Sequence, residues 1–517
     1  MAADLLKEYI KLNKLTFSTE SQAVFESDII VPDVKPDIRE LLLVDGEVYV
    51  DSVENFRDKL NVNFSIQYKI LYRNKVGSPM VTPISYTAKF TSTMNVDAME
   101  ADANVSVHCD IEHIDFSLLN DRKINTKAIV SFSVQANCMK EVGLASDITG
   151  MDCVQMRKKN YSISNCIDTI REKCALSETV TIPGIKPSMQ ELLRTDTAIL
   201  GKSTKIIDGN LIVKGELAVT TMYLASDESS SIQYMESTLP FSITAEVFVP
   251  ETASLDTTIS LDFVQITAAE DSDGELRCLQ ISADISVTAL FYENKEIAVL
   301  DDAYCLDRDL KLSRETFFTS TFLGDLQNQF VVKEIVKKSD YAPDMLEIMH
   351  VSCKAGKPES YVENNRIVVE GYVKCTFLYL SEDDCPVASF SKEIPYKYVF
   401  DKKDVPEDVV IVVKADVEHI NFSLVSNEEA ELRIVICASA SLSCRSEIPV
   451  IGKVVDAPLS ADNMASRPSM VLYFVRPGDS LWSIAKKYMT TCNILCAFNE
   501  LDEKSVLMPG MQLVIPK

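Results

Sequence analysis

Between Leu60 and Tyr72 the apolar residues Leu60, Val62, Phe64, Ile66, Tyr68, Ile70 and Tyr72 alternate with Asn61, Asn63, Ser65, Gln67 and Lys69. Only a period of two puts them all on one face, so the run predicts a half-buried β-strand. The same alternation returns in Leu211, Val213, Leu217, Val219 and Tyr223, and again in Ile367, Val369, Val373, Cys375, Phe377 and Tyr379. Both later runs carry a central glycine, Gly215 and Gly371, where so long a strand is expected to bend or bulge. Two further runs, Val105 to Ile111 and Ala128 to Val134, have counterparts in Ile411 to Val417 and Ile434 to Ala440. Amphipathic strands separated by polar turns predict a mainly β chain whose antiparallel sheets close face to face in three tandem β-sandwich-like units.

The repetition is explicit in one segment. Val31-Pro32-Asp33-Val34-Lys35-Pro36-Asp37-Ile38 returns as Ile182-Pro183-Gly184-Ile185-Lys186-Pro187-Ser188-Met189, and in altered form as Lys338-Ser339-Asp340-Tyr341-Ala342-Pro343. Pro36, Pro187 and Pro343 are 151 and 156 residues apart, as are Tyr72, Tyr223 and Tyr379. Asp110-Ile111-Glu112-His113 returns as Asp416-Val417-Glu418-His419. These offsets divide the chain into a lead (1–23), repeats at 24–138, 176–292 and 331–445, apolar connectors at 139–175 and 293–330, a linker at 446–470 and a module at 471–517. Leu5, Leu6, Tyr9, Ile10 and Leu12 have roughly helical spacing and predict a short leading helix over 4–14. Pro-Asp-Ile-Arg-Glu-Leu predicts a second short helix before the first repeat's main strand. Pro458, Ser460, Asp462 and Pro468 make 453–470 read as a tether.

Composition narrows the function. With 517 residues, 46% of them hydrophobic, the chain can bury several cores. A net charge of −26 opposes nucleic acid and anionic surfaces; residues 471–517 carry +1, leaving −27 on the rest. No apolar run is long enough to insert in a membrane, the acidic start is unlike a secretory leader, and the 14 scattered cysteines fit a reducing, cytosolic setting. Nucleotide-binding, serine-hydrolase and zinc-protease signatures are missing, so no catalytic residue and no cofactor is expected. On a strand His108, Asp110 and Glu112 share one face while His113 joins the apolar stripe, so the two histidines do not converge on a metal. Lys414 replaces His108 in the third repeat, and Gln265 aligns with His113 in the second. A structural hydrogen-bonding role for His113 and His419 follows. Cys492 and Cys496 read as buried thiols, and Glu382-Asp383-Asp384 and Glu428-Glu429 as solvated turns; no metal site is expected.

The final 47 residues resemble a LysM module in Tyr473-Phe474-Val475-Arg476-Pro477-Gly478-Asp479-Ser480-Leu481-Trp482, Asn499-Glu500-Leu501, Pro509-Gly510 and Leu513-Val514-Ile515-Pro516. The pattern reads strand, helix, helix, strand, a small α+β domain. The resemblance implies a ligand groove between Gly478, Asp479, Ser480 and Leu481 and the loop Leu507, Met508, Pro509 and Gly510, with Asn499 beside it. Met489 departs from the family, which usually ends that helix with glycine. The repeats resemble the SPOCS domain (formerly DUF3794), with the Val-Pro-Asp-Val-Lys-Pro-Asp-Ile segment as its hallmark. Three such repeats before a LysM module resemble clostridial spore-coat morphogenetic proteins. That resemblance implies a non-enzymatic scaffold in the mother-cell cytoplasm, at the forespore surface, that binds the coat-basement ATPase and recruits other spore-coat proteins. The alternative it leaves open is binding of N-acetylglucosamine-containing cortex peptidoglycan through the LysM groove.

Overall fold

A computed structural model describes residues 3–56, 58–75, 81–96, 103–227, 231–340, 342–381, 387–403, 405–406, 408–458, 469–502 and 505–516. Repeat one comprises β1 (Asp4–Ile30), β2 (Ile38–Phe56), β3 (Lys59–Asn74), β4 (Val81–Asn95), β5 (Asn104–Asn120) and β6 (Lys123–Thr149). Repeat two comprises β7 (Val154–Thr181), β8 (Met189–Ile207), β9 (Asn210–Ala225), β10 (Ile232–Glu246), β11 (Ser254–Glu270) and β12 (Leu276–Cys305). Repeat three comprises β13 (Arg308–Lys337), β14 (Met345–Ala355), β15 (Glu359–Glu363), β16 (Arg366–Ser381), β17 (Val387–Val399), β18 (Val409–Ser426) and β19 (Glu429–Pro458). The C-terminal module follows as β20 (Met470–Phe474), α1 (Leu481–Tyr488), α2 (Cys492–Asn499) and β21 (Gln512–Pro516).

Each repeat is two antiparallel sheets face to face. In repeat one the orders are β1-β6-β5 and β2-β3-β4. The alternating residues of β3, from Leu60 to Tyr72, close on Ile124, Ala128, Val130, Phe132 and Val134 of β6, as the period-two pattern predicts. Phe25, Phe64, Phe90 and Phe132 interlock with ring centroids 4.8 to 6.0 Å apart. The mid-run glycines have a partner. Phe241 stands opposite Gly215 and Tyr396 opposite Gly371, each ring lying where a Cβ would be. The facing strand is irregular there, with a register shift between Leu200 and Ser203 and a break between β14 and β15.

The connectors are not separate segments. β6 and β7 run through the first, β12 and β13 through the second, and β19 continues into the linker, so β1/β6, β7/β12 and β13/β19 form three long ribbons. Beyond the sandwiches the ribbons pack together through Ile10, Leu144, Ile163, Ile297, Val299 and Ile448, and again through Ala145, Leu300, Ala303 and Ile451. This burial is why the connector sequences are apolar. It also corrects the leading helix: residues 4–14 belong to β1, with Ile10 and Leu12 in the stalk core and Tyr9 laid over Gly143 of β6. Apolar side chains on both faces of one strand mimic helical spacing. The helix expected around Pro36 is likewise absent; residues 33–35 turn and β2 begins at Ile38. In the linker, β19 reaches Pro458, and 459–468 lie outside the described residues, as do Glu382, Asp383 and Asp384.

The three repeats meet a second time, in a junction of equivalent residues. Leu42, Leu193 and Met349, and Leu71, Met222 and Leu378, occupy matching positions and share one cluster. The next matching set is Leu43, Arg194 and His350, so a leucine position has become cationic or polar in two repeats.

Candidate functional site

The hallmark loop is a rigid hook. Lys35 N donates to Pro32 O and Lys186 N to Pro183 O, each at 2.9 Å, which closes a tight turn. Tyr72, Tyr223 and Tyr379 donate their hydroxyls to Pro36, Pro187 and Pro343 at 2.6, 3.1 and 3.1 Å. The two recurring landmarks of the sequence are therefore the two halves of one contact. A guanidinium closes the loop from the other side. Arg122 donates to the carbonyls of Val31, Pro32 and Lys35 and to Asp37, and Arg277 to those of Pro183 and Lys186. In repeat three Glu428 occupies the arginine position, and Lys338, which stands where Val31 and Ile182 do, donates to Ala342 O instead. The cation has changed strands, which accounts for the altered third hallmark. The hooks leave Val34 and Ile185 91% and 94% exposed. Arg122→Ala removes donors from several carbonyls and is expected to cost about 1–2 kcal/mol of local stability. Amide hydrogen exchange across 32–37 should accelerate; unchanged exchange there would refute the clamp.

The two histidine segments are not a site. An extra residue, Glu112, bulges β5 between Ile111 and His113. That moves His113 out of the apolar stripe and into solvent, where its Nε2 lies 2.9 Å from Asp115; His419 lies 3.3 Å from Asn421. The equivalent bulge in repeat two puts Phe263, not Gln265, at the position of His113. No group of three or more potential metal ligands occurs among the described residues. Cys496 is buried and Cys492 half-buried.

In the C-terminal module Ser480 caps α1: its side chain accepts from Ser483 N at 3.1 Å while Ser483 Oγ accepts from Ser480 N at 2.8 Å. Met489 ends the helix with φ +54°, the left-handed conformation that glycine adopts without strain. The two groove loops lie side by side, joined by Gly510 N to Val475 O at 2.8 Å and Val475 N to Met511 O at 2.9 Å. Gly478 and Gly510 have φ of +86° and +89°. Asp479 accepts from Arg476 N and the Tyr473 hydroxyl, which hold its carboxyl below the usual range. Ser480, Met508 and Pro509 are exposed; Leu481 is buried and Leu507 half-buried against the module core. Asn499 is spent internally, bonding Leu495 O and both backbone groups of Val514, so it straps α2 to β21.

The module is docked. Asp302, near the tip of β12, accepts from Trp482 Nε1 at 2.8 Å, Lys486 Nζ at 2.6 Å and Arg314 at 3.2 Å. Tyr304 donates to Thr490 O at 2.6 Å and meets the Trp482 ring edge-on, while Arg157 lies over the same ring. This face was not singled out in the sequence. It uses α1 and leaves the groove open.

The family model described as SipL, SPOCS domain matches residues 37–119, 188–269 and 344–425, and the LysM domain model matches 473–516. The chain is a SPOCS–LysM protein. As such it is sporulation-associated and assembled from non-catalytic binding modules, the LysM domain being of the peptidoglycan-binding kind. No curated protein and no solved structure matches this SPOCS–LysM chain. No helix among its described residues is long and apolar enough to cross a membrane.

Proposed function

We propose that this protein is a non-enzymatic scaffold of the spore envelope, holding the coat-basement ATPase at the forespore surface and recruiting coat proteins to it. The observation that carries this reading is the separation of its binding surfaces. The LysM groove sits at the stalk tip, and the exposed Val34 and Ile185 hooks follow the opposite ends of the same ribbons. A strand of 27 residues such as β1 spans at most about 90 Å at 3.2–3.4 Å per residue. Two surfaces so far apart on one packed body suit bridging of layers. Repetition of the hook adds multivalency.

A second reading, attachment to cortex peptidoglycan, is favoured by the open groove alone. Both are separated by capturing the purified ATPase and peptidoglycan sacculi on full-length protein, on Met508→Asp, and on Val34→Asp/Ile185→Asp. The scaffold reading expects ATPase capture to fall at least tenfold in the groove variant and coat-protein recruitment to fall in the hook variant. Sacculus binding without ATPase capture would replace it with the second reading.

A further inference from the structure

A cleft of about 730 Å³ opens where the mouth of the repeat-one sandwich meets repeat two. Its polar lining is Asn13, Asn55, Asn104, Asn137, Thr169 and Arg171, with Val53 and Leu290 among its apolar residues. In a protein with 77 acidic residues, this lining has no carboxylate and no lysine among the described residues.

The carboxamides are ordered. Asn104 stands opposite Asn137 in the β5–β6 register, and Asn13 stands opposite Met139, hence diagonal to Asn137. Three amides thus cross three neighbouring strands at a spacing of about 4.8 Å, and Asn55 faces them from the other sheet. Internal comparison makes the set particular to repeat one. Matching registers put Ile206, Ser254 and Tyr292 in repeat two, and Val362, Val410 and Ser443 in repeat three, where repeat one has Asn55, Asn104 and Asn137. The two other repeats share the fold without these amides, so the fold does not require them.

From this placement we infer that the cleft is a carbohydrate-binding site, taking an oligosaccharide rich in hydroxyl and acetamido groups. A carboxamide offers a donor and an acceptor at once, which matches neutral groups that do the same. Val53 and Leu290 supply apolar surface for the C–H faces of a sugar ring. Arg171, from repeat two, adds a charged donor, so the ligand spans the repeat boundary. A sugar chain is favoured over a peptide because the amides line up across the face of the β1-β6-β5 sheet, whereas a peptide strand pairs with backbone groups along a sheet edge. This site is independent of the LysM groove and of either reading above.

The test titrates chitohexaose and cellohexaose into the full-length Met508→Asp protein, whose LysM groove is blocked, by calorimetry. Saturable binding is expected, weakened at least tenfold by adding Asn104→Ala/Asn137→Ala and several-fold by adding Arg171→Ala, with melting temperatures unchanged. The Asn55→Ala change, on the facing sheet, should also weaken it. Absence of binding to either sugar, or binding that survives the double asparagine change, would overturn the site. Binding of an extended serine- and glycine-rich peptide in place of both sugars would overturn the ligand class.

Discussion

Arg194→Leu is expected to destabilise the body by about 3–5 kcal/mol, the cost of removing one member of a buried ion-pair network. The guanidinium side chain is 3% exposed. It donates to Asp45 of repeat one at 2.7 Å, to Asp196 of its own repeat at 2.6 Å and to Ser352 of repeat three at 3.2 Å. Burial alone would raise the Asp45 and Asp196 pKa values, but the charge and hydrogen bonds of Arg194, joined by Lys354 at Asp45 and by His350 and Lys69 at Asp196, together outweigh it and hold both below the ordinary range. Without Arg194 those carboxylates lose their principal counterion. Leu43 at the matching position of repeat one shows that leucine fits the shape, so the loss is electrostatic. Denaturant unfolding measures it, and Arg194→Leu/Asp45→Asn/Asp196→Asn should recover part of the loss. A midpoint that stays at the wild-type value would refute the network's role. The pH sign follows. Carboxyl groups with depressed folded pKa values contribute stability fully above the unfolded value of about 3.9, and lose it as pH falls from there through the folded value. The wild type should therefore weaken on acidification below about pH 4, and the triple variant should weaken less.

Asp302→Ala is expected to release the LysM domain from the stalk tip while both parts stay folded. Burial alone would raise the Asp302 pKa, but hydrogen bonds from Lys486 and Trp482 and the charges of Lys486 and Arg314 together outweigh it, so the carboxylate is held ionised. Losing charge-assisted bonds at roughly 1.5–3 kcal/mol each, partly regained in water, should lower the docked-to-free ratio about thirty- to hundredfold. Trp482 is the only tryptophan, so its emission should shift to the red and become more quenchable. Tyr304→Phe, which deletes only the hydroxyl bond to Thr490, should have a smaller effect in the same direction. Wild-type emission from Asp302→Ala would refute this docking.

What the sequence revealed depended on whether neighbours in sequence were neighbours in space. The buried faces of β3, β9 and β16 could be read because alternation is local. So could the LysM loops, whose glycines and capping serine act over a few residues. The His113 alignment failed because a bulge shifts side-chain parity by one residue, and nothing in Glu112 announces it. The stalk was mistaken for connectors because its pairing partners lie more than a hundred residues apart. Asp302 and Tyr304 were invisible for the same reason. Arg194 and His350 had a signal, since each replaces the leucine of an otherwise apolar repeated position. That signal appears only when the three repeats are aligned strand by strand.

The long ribbons have a consequence for how such a chain can arise. In each repeat the first and last strands are antiparallel partners, as Asp4 with Thr149, Val154 with Cys305 and Arg308 with Pro458. Both ends of every repeat therefore emerge together at the stalk tip, and only short turns at 150–153 and 306–307 join one repeat to the next. Three separate copies of one ancestral repeat would close the same body. The protein is in this sense a trimer fused into one polypeptide, and fusion freed each subunit to differ: one gained the asparagine cleft, one the arginine of the junction and the seat for the LysM domain, and one gave up its hallmark.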